Sequence, residues 1–274
     1  MPSVFGISIS GLQTSQAALN TTAQNISNAN VEGYSRQRVS QETRNPEFIG
    51  GNYFGSGVEV GRVVRIFDKT QQLEIQAATA SFNQLESYLA EAGRVDGLLA
   101  DSDNGLNQAM QSFFSSLQGV VNDPASVSAR QVMLSQTNGL VSRFASIHGQ
   151  LETQSNQINT NIESIAEEVS ALGQSIASLN NQISGSSGTP PPDFLDKRDA
   201  AITRLSKLVA VQTIEQSDGS FNVFIGSGQS LVVGSISNSL VAAVDDQNPR
   251  RRVLNLTAGS SAVNITSNLN GGKL

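Results

Sequence analysis

Few residues of this chain could do chemistry, and their spacing argues against it. One histidine and no cysteine stand among 274 residues. Thiol chemistry, disulfides and Cys/His zinc sites are therefore excluded. A nucleophile–histidine couple would rest on His148 alone. Only Glu152 lies at a fixed helical offset from it, which favours a packing or surface role. The run Asp101-Ser102-Asp103-Asn104-Gly105 superficially resembles a calcium loop. Such a loop needs glycine sixth and glutamate twelfth, whereas Gly105 is fifth and Ser112 twelfth, so a helix-ending turn is the better expectation. Asp196, Arg198 and Asp199 could suggest a metal or phosphate site. No third ligand is in view, and capping with local surface ion pairs of ~0–1 kcal/mol is expected instead. The glycine-rich run 226–234 lacks the Gly-Lys-Ser/Thr of a phosphate loop. Arg250, Arg251 and Arg252 beside Pro249 read as an exposed turn. No catalytic, metal or cofactor-binding residue is assigned, no cofactor is expected, and the chain does not read as an enzyme.

Composition points the same way. The formal charge of −6 opposes nucleic-acid binding, which needs a basic face. Charged residues are 15% of the chain, below the ~25% of ordinary soluble domains. Serine, asparagine, glutamine and threonine replace them, as suits dense neutral packing between subunits. The length allows about two domains.

The elements that must position any function begin with residues 1–31, which carry no charged side chain. Phe5, Leu12, Leu19 and Ile26 recur every seven residues, flanked by Ile9 and Ala23. This narrow stripe suits a helix–helix seam, and those six residues are the candidate subunit-packing set. A signal peptide needs a cationic start and a continuous apolar run. A membrane span needs close to twenty mostly apolar residues, which Gln13, Gln16, Asn20 and Gln24 deny. An isolated helix is marginal in water, so this one is expected to wait for partners.

Farther along, residues 36–67 read as irregular with a short strand pair. A long helix starts at Asp68 and a shorter one spans about 106–121. From Gly139 to Ile183 a second seven-residue row runs through Phe144, Leu151, Ile158, Ile165, Leu172 and Leu179, the expected helix-bundle seam. A flanking row changes sides, from Leu140 and Ile147 to Ile162, Val169, Ile176 and Ile183. That switch predicts different neighbours for the two halves. Residues 185–192 read as a Ser/Gly/Pro linker, and Asp193 as the cap of the next helix. After Val209 the period becomes two, predicting antiparallel strands. The fold class is mainly α with a β domain: long helices in a coiled-coil-like bundle, a short β insert near 36–67, then an antiparallel β-rich region. The expected divisions are 1–34, 35–184, the linker 185–192, and 193–274.

Two motifs carry a resemblance. The opening helix runs into Asn25-Ile26-Ser27-Asn28-Ala29-Asn30 and then Gly33-Tyr34-Ser35-Arg36-Gln37. This resembles the signature of flagellar rod, hook and hook-associated proteins, with Asn25, Ile26, Asn28, Gly33, Tyr34 and Arg36 as its matching residues. Other axial proteins more often continue with a Thr-Pro-Gly-Tyr turn, which Asn30-Val31-Glu32-Gly33-Tyr34 replaces here, as in the hook-associated branch. Leu195-Asp196-Lys197-Arg198-Asp199 is similar to that branch's Leu-Asp-x-Arg-Asp motif, carried by Leu195, Asp196, Arg198 and Asp199. The resemblance implies a structural subunit that joins hook to filament by polymerising through helical termini, the opening helix lining an inner tube. It implies partners in its own copies in a junction ring, the hook protein and a second, filament-side hook-associated protein. It implies an extracellular place on the flagellum, reached by type III export without a cleaved signal, with no nucleic acid or membrane as partner. Export-chaperone binding would fall in a C-terminal region outside these 274 residues, because the resemblance covers half or less of a typical member; a fragment or curtailed gene is the expectation. The alternatives are another axial protein of hook or rod type, a flagellar peptidoglycan hydrolase, or a secreted adhesin.

Overall fold

Ser3 accepts a hydrogen bond from the Gly6 amide (2.9 Å) and so starts helix α1, Val4–Ser27. Asn28 closes it, its amide and side chain both returning to the Gln24 carbonyl (3.0 and 2.9 Å). Gly33 then turns the chain at φ +81°, a conformation glycine reaches without steric cost. The computed structural model describes residues 3–99, 105–186 and 188–274; Asp101 to Asn104, the residues resembling a calcium loop, lie outside them.

The insert is a two-stranded antiparallel ribbon of β1 (Gln37–Thr43) and β4 (Val58–Arg65), tipped by a hairpin of β2 (Glu47–Ile49) and β3 (Asn52–Phe54). Asp68 Oδ1 accepts from the Thr70 and Gln71 amides (2.9 and 3.2 Å) and opens α2, Lys69–Leu99. Helix α3 (Leu106–Asn122) leads to α4, which begins at Val127 behind a Ser126 cap and continues to Ser184. At 58 residues it is longer than its periodic stretch indicates, passing through Gly139 and Gly149. Helix α5 (Pro192–Leu208) follows. The strands form a four-stranded sheet of β5 (Val211–Glu215), β6 (Phe221–Ile225), β7 (Gln229–Val233) and β8 (Ile236–Ser237). A three-stranded sheet contains β9 (Ser239–Val244), β10 (Arg252–Ala258) and β11 (Ser261–Asn264). The predicted mixture of long helices and antiparallel strands is thus the observed one.

The two halves of α4 do have different neighbours. The first runs beside α3; the second packs on α5 and both sheets. This corrects the expected seam. Phe144 and Leu151 are exposed, Ile158, Ile165 and Leu172 are half-buried, and of the six only Leu179 is buried. The deepest positions are instead Val169, Ile176 and Ile183, all at 0–1% exposure. Beyond Gln154 the covering elements lie over the flanking row, so that row becomes core.

One hydrophobic cluster joins Ala166, Val169, Ile176 and Ala177 of α4 to Ile202 and Leu205 of α5 and to Val223, Leu231, Leu240 and Leu254 of the sheets. Helices α4 and α5, on either side of the expected linker, therefore contribute to the same core. Asn180, fully buried, accepts from the Phe221 amide (3.1 Å) and donates to the Phe221 and Gly234 carbonyls (both 2.7 Å), locking α4 to the sheet edge. Arg250 and Arg251 lie exposed in the β9–β10 turn, as read from the sequence, and Arg250 and Arg252 pair with Glu152 (3.1 Å) and Glu163 (2.5 Å), fastening that turn to α4. Among the described residues no helix is long and apolar enough to cross a membrane.

Candidate functional site

Helix α1 lies along the ribbon with its amphipathicity inverted. Its buried residues are Ser10 and Thr14. Ser10 Oγ donates to the Ile7 carbonyl (2.7 Å) and accepts from the Val58 amide (3.2 Å); Thr14 Oγ1 donates to the Ser10 carbonyl (2.7 Å). Small side chains let the ribbon come close, so Gly57 sits where a Cβ would reach 2.4 Å from Ser10 Oγ. Neither residue stands out in the sequence, because a buried serine and threonine share their type with the helix's solvated ones. The apolar side faces away from the chain: Phe5 is 81% exposed, Leu12 71%, Leu19 70% and Ile26 72%. Ile9 and Ala23 are exposed too. All six candidate packing residues thus form an uncovered stripe on the outward side of a helix held by its polar side.

The signature after α1 is a clasp. Asn25 Oδ1 accepts from the Tyr34 hydroxyl (2.8 Å) and the Gln37 amide (2.9 Å), and Asn25 Nδ2 donates to the Gln37 carbonyl (2.9 Å). One side chain thereby fixes the direction in which β1 leaves the helix. Gly33 lies against α5, where a Cβ would stand 3.1 Å from that of Ala200. Arg36 is exposed and contributes through its backbone carbonyl, which accepts from the Ile66 amide (2.8 Å). Burial, with Asp193 and Asp196 nearby, raises the Tyr34 pKa, so the phenol keeps its proton.

The Leu195–Asp199 motif holds this clasp to the body, and here the sequence reading needs correction. Asp196, Arg198 and Asp199 are buried rather than at the surface, and their partners are distant. Asp196 Oδ1 and Asp199 Oδ2 both accept from Arg65 Nη1 on β4 (2.7 and 2.8 Å), while Asp196 Oδ2 accepts from the Ser35 amide (3.0 Å). Arg198 keeps its Nε 4.0 Å from Asp199 Oδ1 and turns the rest of its guanidinium toward the sheet. Its guanidinium lies 3.6 Å from the Phe221 ring centroid and donates to the Gly219 carbonyl (2.7 Å). Leu195 is half-buried. Asp193 does not cap α5: Pro191 holds the cap position, and the Asp193 carboxylate accepts from Gln37 Nε2 (3.3 Å). Burial raises the Asp199 pKa against the opposing pull of Arg65. Arg65 escaped notice because it ends an alternating valine strand and its partners come more than 130 residues later.

In this cluster two cations, Arg65 and Arg198, stand against two carboxylates, Asp196 and Asp199, with Arg198 Nε buried and making no hydrogen bond. Among the described residues no three His, Cys, Asp or Glu side chains converge as metal ligands would, and His148 stands exposed on α4. The arrangement positions one element against another and presents an apolar stripe.

Residues 92–274 match the family described as flagellar hook-associated protein FlgK helical domain. The chain belongs to that family. Residues 6–34, which span α1 from Gly6 onward and most of the clasp, also match the flagella basal body rod protein family. Flagellar hook-associated protein 1 of Salmonella typhimurium (strain LT2) is 34% identical over 92% of this chain and 46% of its own length. The Escherichia coli (strain K12) protein of that name is 33% identical over 95% of this chain and 48% of its own. The Bacillus subtilis (strain 168) relative is 31% identical over 76% of this chain and 43% of its own. The solved flagellar hook junction protein FlgK from Burkholderia pseudomallei superposes with a TM-score of 0.67 at 28% identity, over 73% of this chain and 37% of that one. This FlgK-family chain spans about half the length of the curated relatives it matches.

Proposed function

We propose that the chain is a structural subunit of the bacterial flagellum, at the junction between hook and filament, assembling with copies of itself through α1. One observation carries the reading: Phe5, Leu12, Leu19 and Ile26 are uncovered in the single chain, while the helix's polar side is already used. Burying each such side chain would contribute ~1.5–3 kcal/mol, so assembly and the ordering of α1 reinforce one another. The hook protein and a filament-side hook-associated protein are the neighbours on either side. The role is mechanical rather than catalytic, at an extracellular site reached by type III export without a cleaved signal.

Full-length protein carrying Leu12→Asp and Leu19→Asp, supplied to cells lacking their own, tests this by filament regrowth. Both side chains are exposed in the single chain, so its melting should not move while filaments fail to form. Filaments restored as well as by the unaltered protein would overturn the assignment of α1.

A further inference from the structure

The β1–β4 ribbon offers one face to α1 and leaves the other to solvent. Paired residues share a face, and the register pairs Arg38 with Val64, Ser40 with Arg62, and Glu42 with Glu59, with an irregularity at Ser40/Gln41 that leaves Gly61 unpaired. The open face thus carries Arg38 and Arg62 toward the body and Glu42 and Glu59 toward the tip, all four exposed. Glu42 and Glu59 are like charges directly opposite one another, which weakens a strand pair. A Cβ on Gly61 would fall 2.4 Å from Glu42 Oε1, so the missing side chain makes room for that carboxylate. Among the described residues Arg38, Arg62 and Glu42 have no ion pair or side-chain hydrogen bond, and Glu59 has only Arg44, at 3.8 Å. Four residues of strand put Arg38 about 14 Å from Glu42, beyond the ~8 Å screening length at physiological salt, while Arg62 is a diagonal neighbour of Glu42 across the two strands, at the ~7–8 Å typical of such pairs. In the single chain the two ends nevertheless form no ion pair with each other.

We propose that this face is a contact between copies of the chain, the Glu42–Glu59 carboxylates of one copy meeting the Arg38–Arg62 guanidiniums of the next. A second copy is the occupant that the charges specify, because each ribbon carries both halves of the match. The contact is heterologous: every copy keeps one free pair for its other neighbour, as a ring or helical lattice requires. Guanidinium–carboxylate pairs are bidentate and directional, so the contact sets the stagger between copies while the α1 stripe supplies burial. It rests on the self-assembly proposed above but uses different residues.

The test is charge reversal in full-length protein. Arg38→Glu/Arg62→Glu makes the face wholly acidic and Glu42→Arg/Glu59→Arg makes it basic. Each alone should lose filament regrowth, and co-production of the two should restore it, which misfolded chains could not do. Normal filaments from either variant alone would overturn the contact and leave the α1 reading intact, since that is read separately by Leu12→Asp/Leu19→Asp. Failure of two folded variants to rescue each other would overturn it as well, assigning the face to a different protein. Should a reversed chain not fold, Arg38→Gln/Arg62→Gln carries the test, and unimpaired regrowth from it sinks the proposal.

Discussion

Arg65 on β4 and Asp199 on α5 lie 134 positions apart in sequence and 2.8 Å apart in space, with Asp196 sharing the same Nη1 at 2.7 Å. One guanidinium thus serves two buried carboxylates at the place where α1 and its ribbon meet the body. Ser35 and Gln37 add hydrogen bonds to Asp196 and Asp193 across the same boundary. The body itself coheres through an apolar core, so the two parts of the molecule are held by different forces. Directional bonds fix the angle between them.

Replacing Arg65 by methionine should therefore be costly. Asp196 would remain buried without its cation and Asp199 with only Arg198 Nε at 4.0 Å, and breaking such a pair typically costs about 3–5 kcal/mol. Lys69→Met is the control, because its bond to Glu215 (2.8 Å) joins two half-exposed side chains and should contribute only ~0–1 kcal/mol. Urea denaturation of both variants checks the contrast. Equal, small losses would show that the buried cluster contributes no more than a surface pair.

Asp199 also sets a pH dependence. Burial lifts its carboxyl above the ordinary range, more than Arg65 offsets, so the folded chain holds this proton to higher pH than the unfolded chain. The stabilisation linked to that proton is full below the unfolded pKa of about 3.9 and is lost as pH rises through the lifted value. Asp199→Asn removes the titration while Asp196 continues to pair with Arg65. The variant's stability should fall less than the unaltered chain's across that window. A stability–pH curve parallel to the unaltered chain's would contradict this.

Periodicity made the long elements legible, because a seven-residue apolar row and an alternating strand are local patterns. The antiparallel strands after Val209 were readable for the same reason. What stayed hidden depends on partners distant in sequence. Val169, Ile176 and Ile183 become core because α5 and the sheets settle on that flank, which no spacing within α4 reveals. Asp196 and Arg198 look like surface charges until Arg65 and Phe221 reach them from either side. For α1 the outward stripe was legible, but Ser10 and Thr14 as its contact with the ribbon were not.

The exchange of rows on α4 can be measured in the single chain. Ile176→Ala should cost about 2–5 kcal/mol, as removal of a fully buried aliphatic side chain does. Phe144→Ala removes a larger side chain from the nominal seam. Yet Phe144 is 51% exposed, and surface changes usually stay within about 0.5 kcal/mol. Thermal melts of the two variants decide between the rows, and a greater loss from Phe144→Ala would restore the seam read from sequence.

Gly272 is where the chain passes between α2 and α5. Its amide donates to the Ala80 carbonyl (2.7 Å), and the next two amides donate to the Lys207 and Leu208 carbonyls (both 3.1 Å). These bonds satisfy carbonyls at the end of α5 that have no partner within the helix, and they draw α2 onto it. The approach depends on a missing side chain: at φ +71° a Cβ would lie 2.2 Å from the Leu208 carbonyl carbon and 2.3 Å from the Val209 nitrogen. Both neighbours are backbone, so neither can swing aside. Gly272→Ala must therefore break the three-residue clip or shift α5, at a cost on the order of 1–3 kcal/mol for backbone strain alone. Gly188→Ala controls for left-handed backbone without crowding, because Gly188 has φ +94° and no atom within 4 Å of its would-be Cβ. Hydrogen exchange should then show the Gly272, Lys273 and Leu274 amides losing protection in the first variant and keeping it in the second. Protection kept in both would mean that α2 is held to α5 by its side chains, with the clip only following.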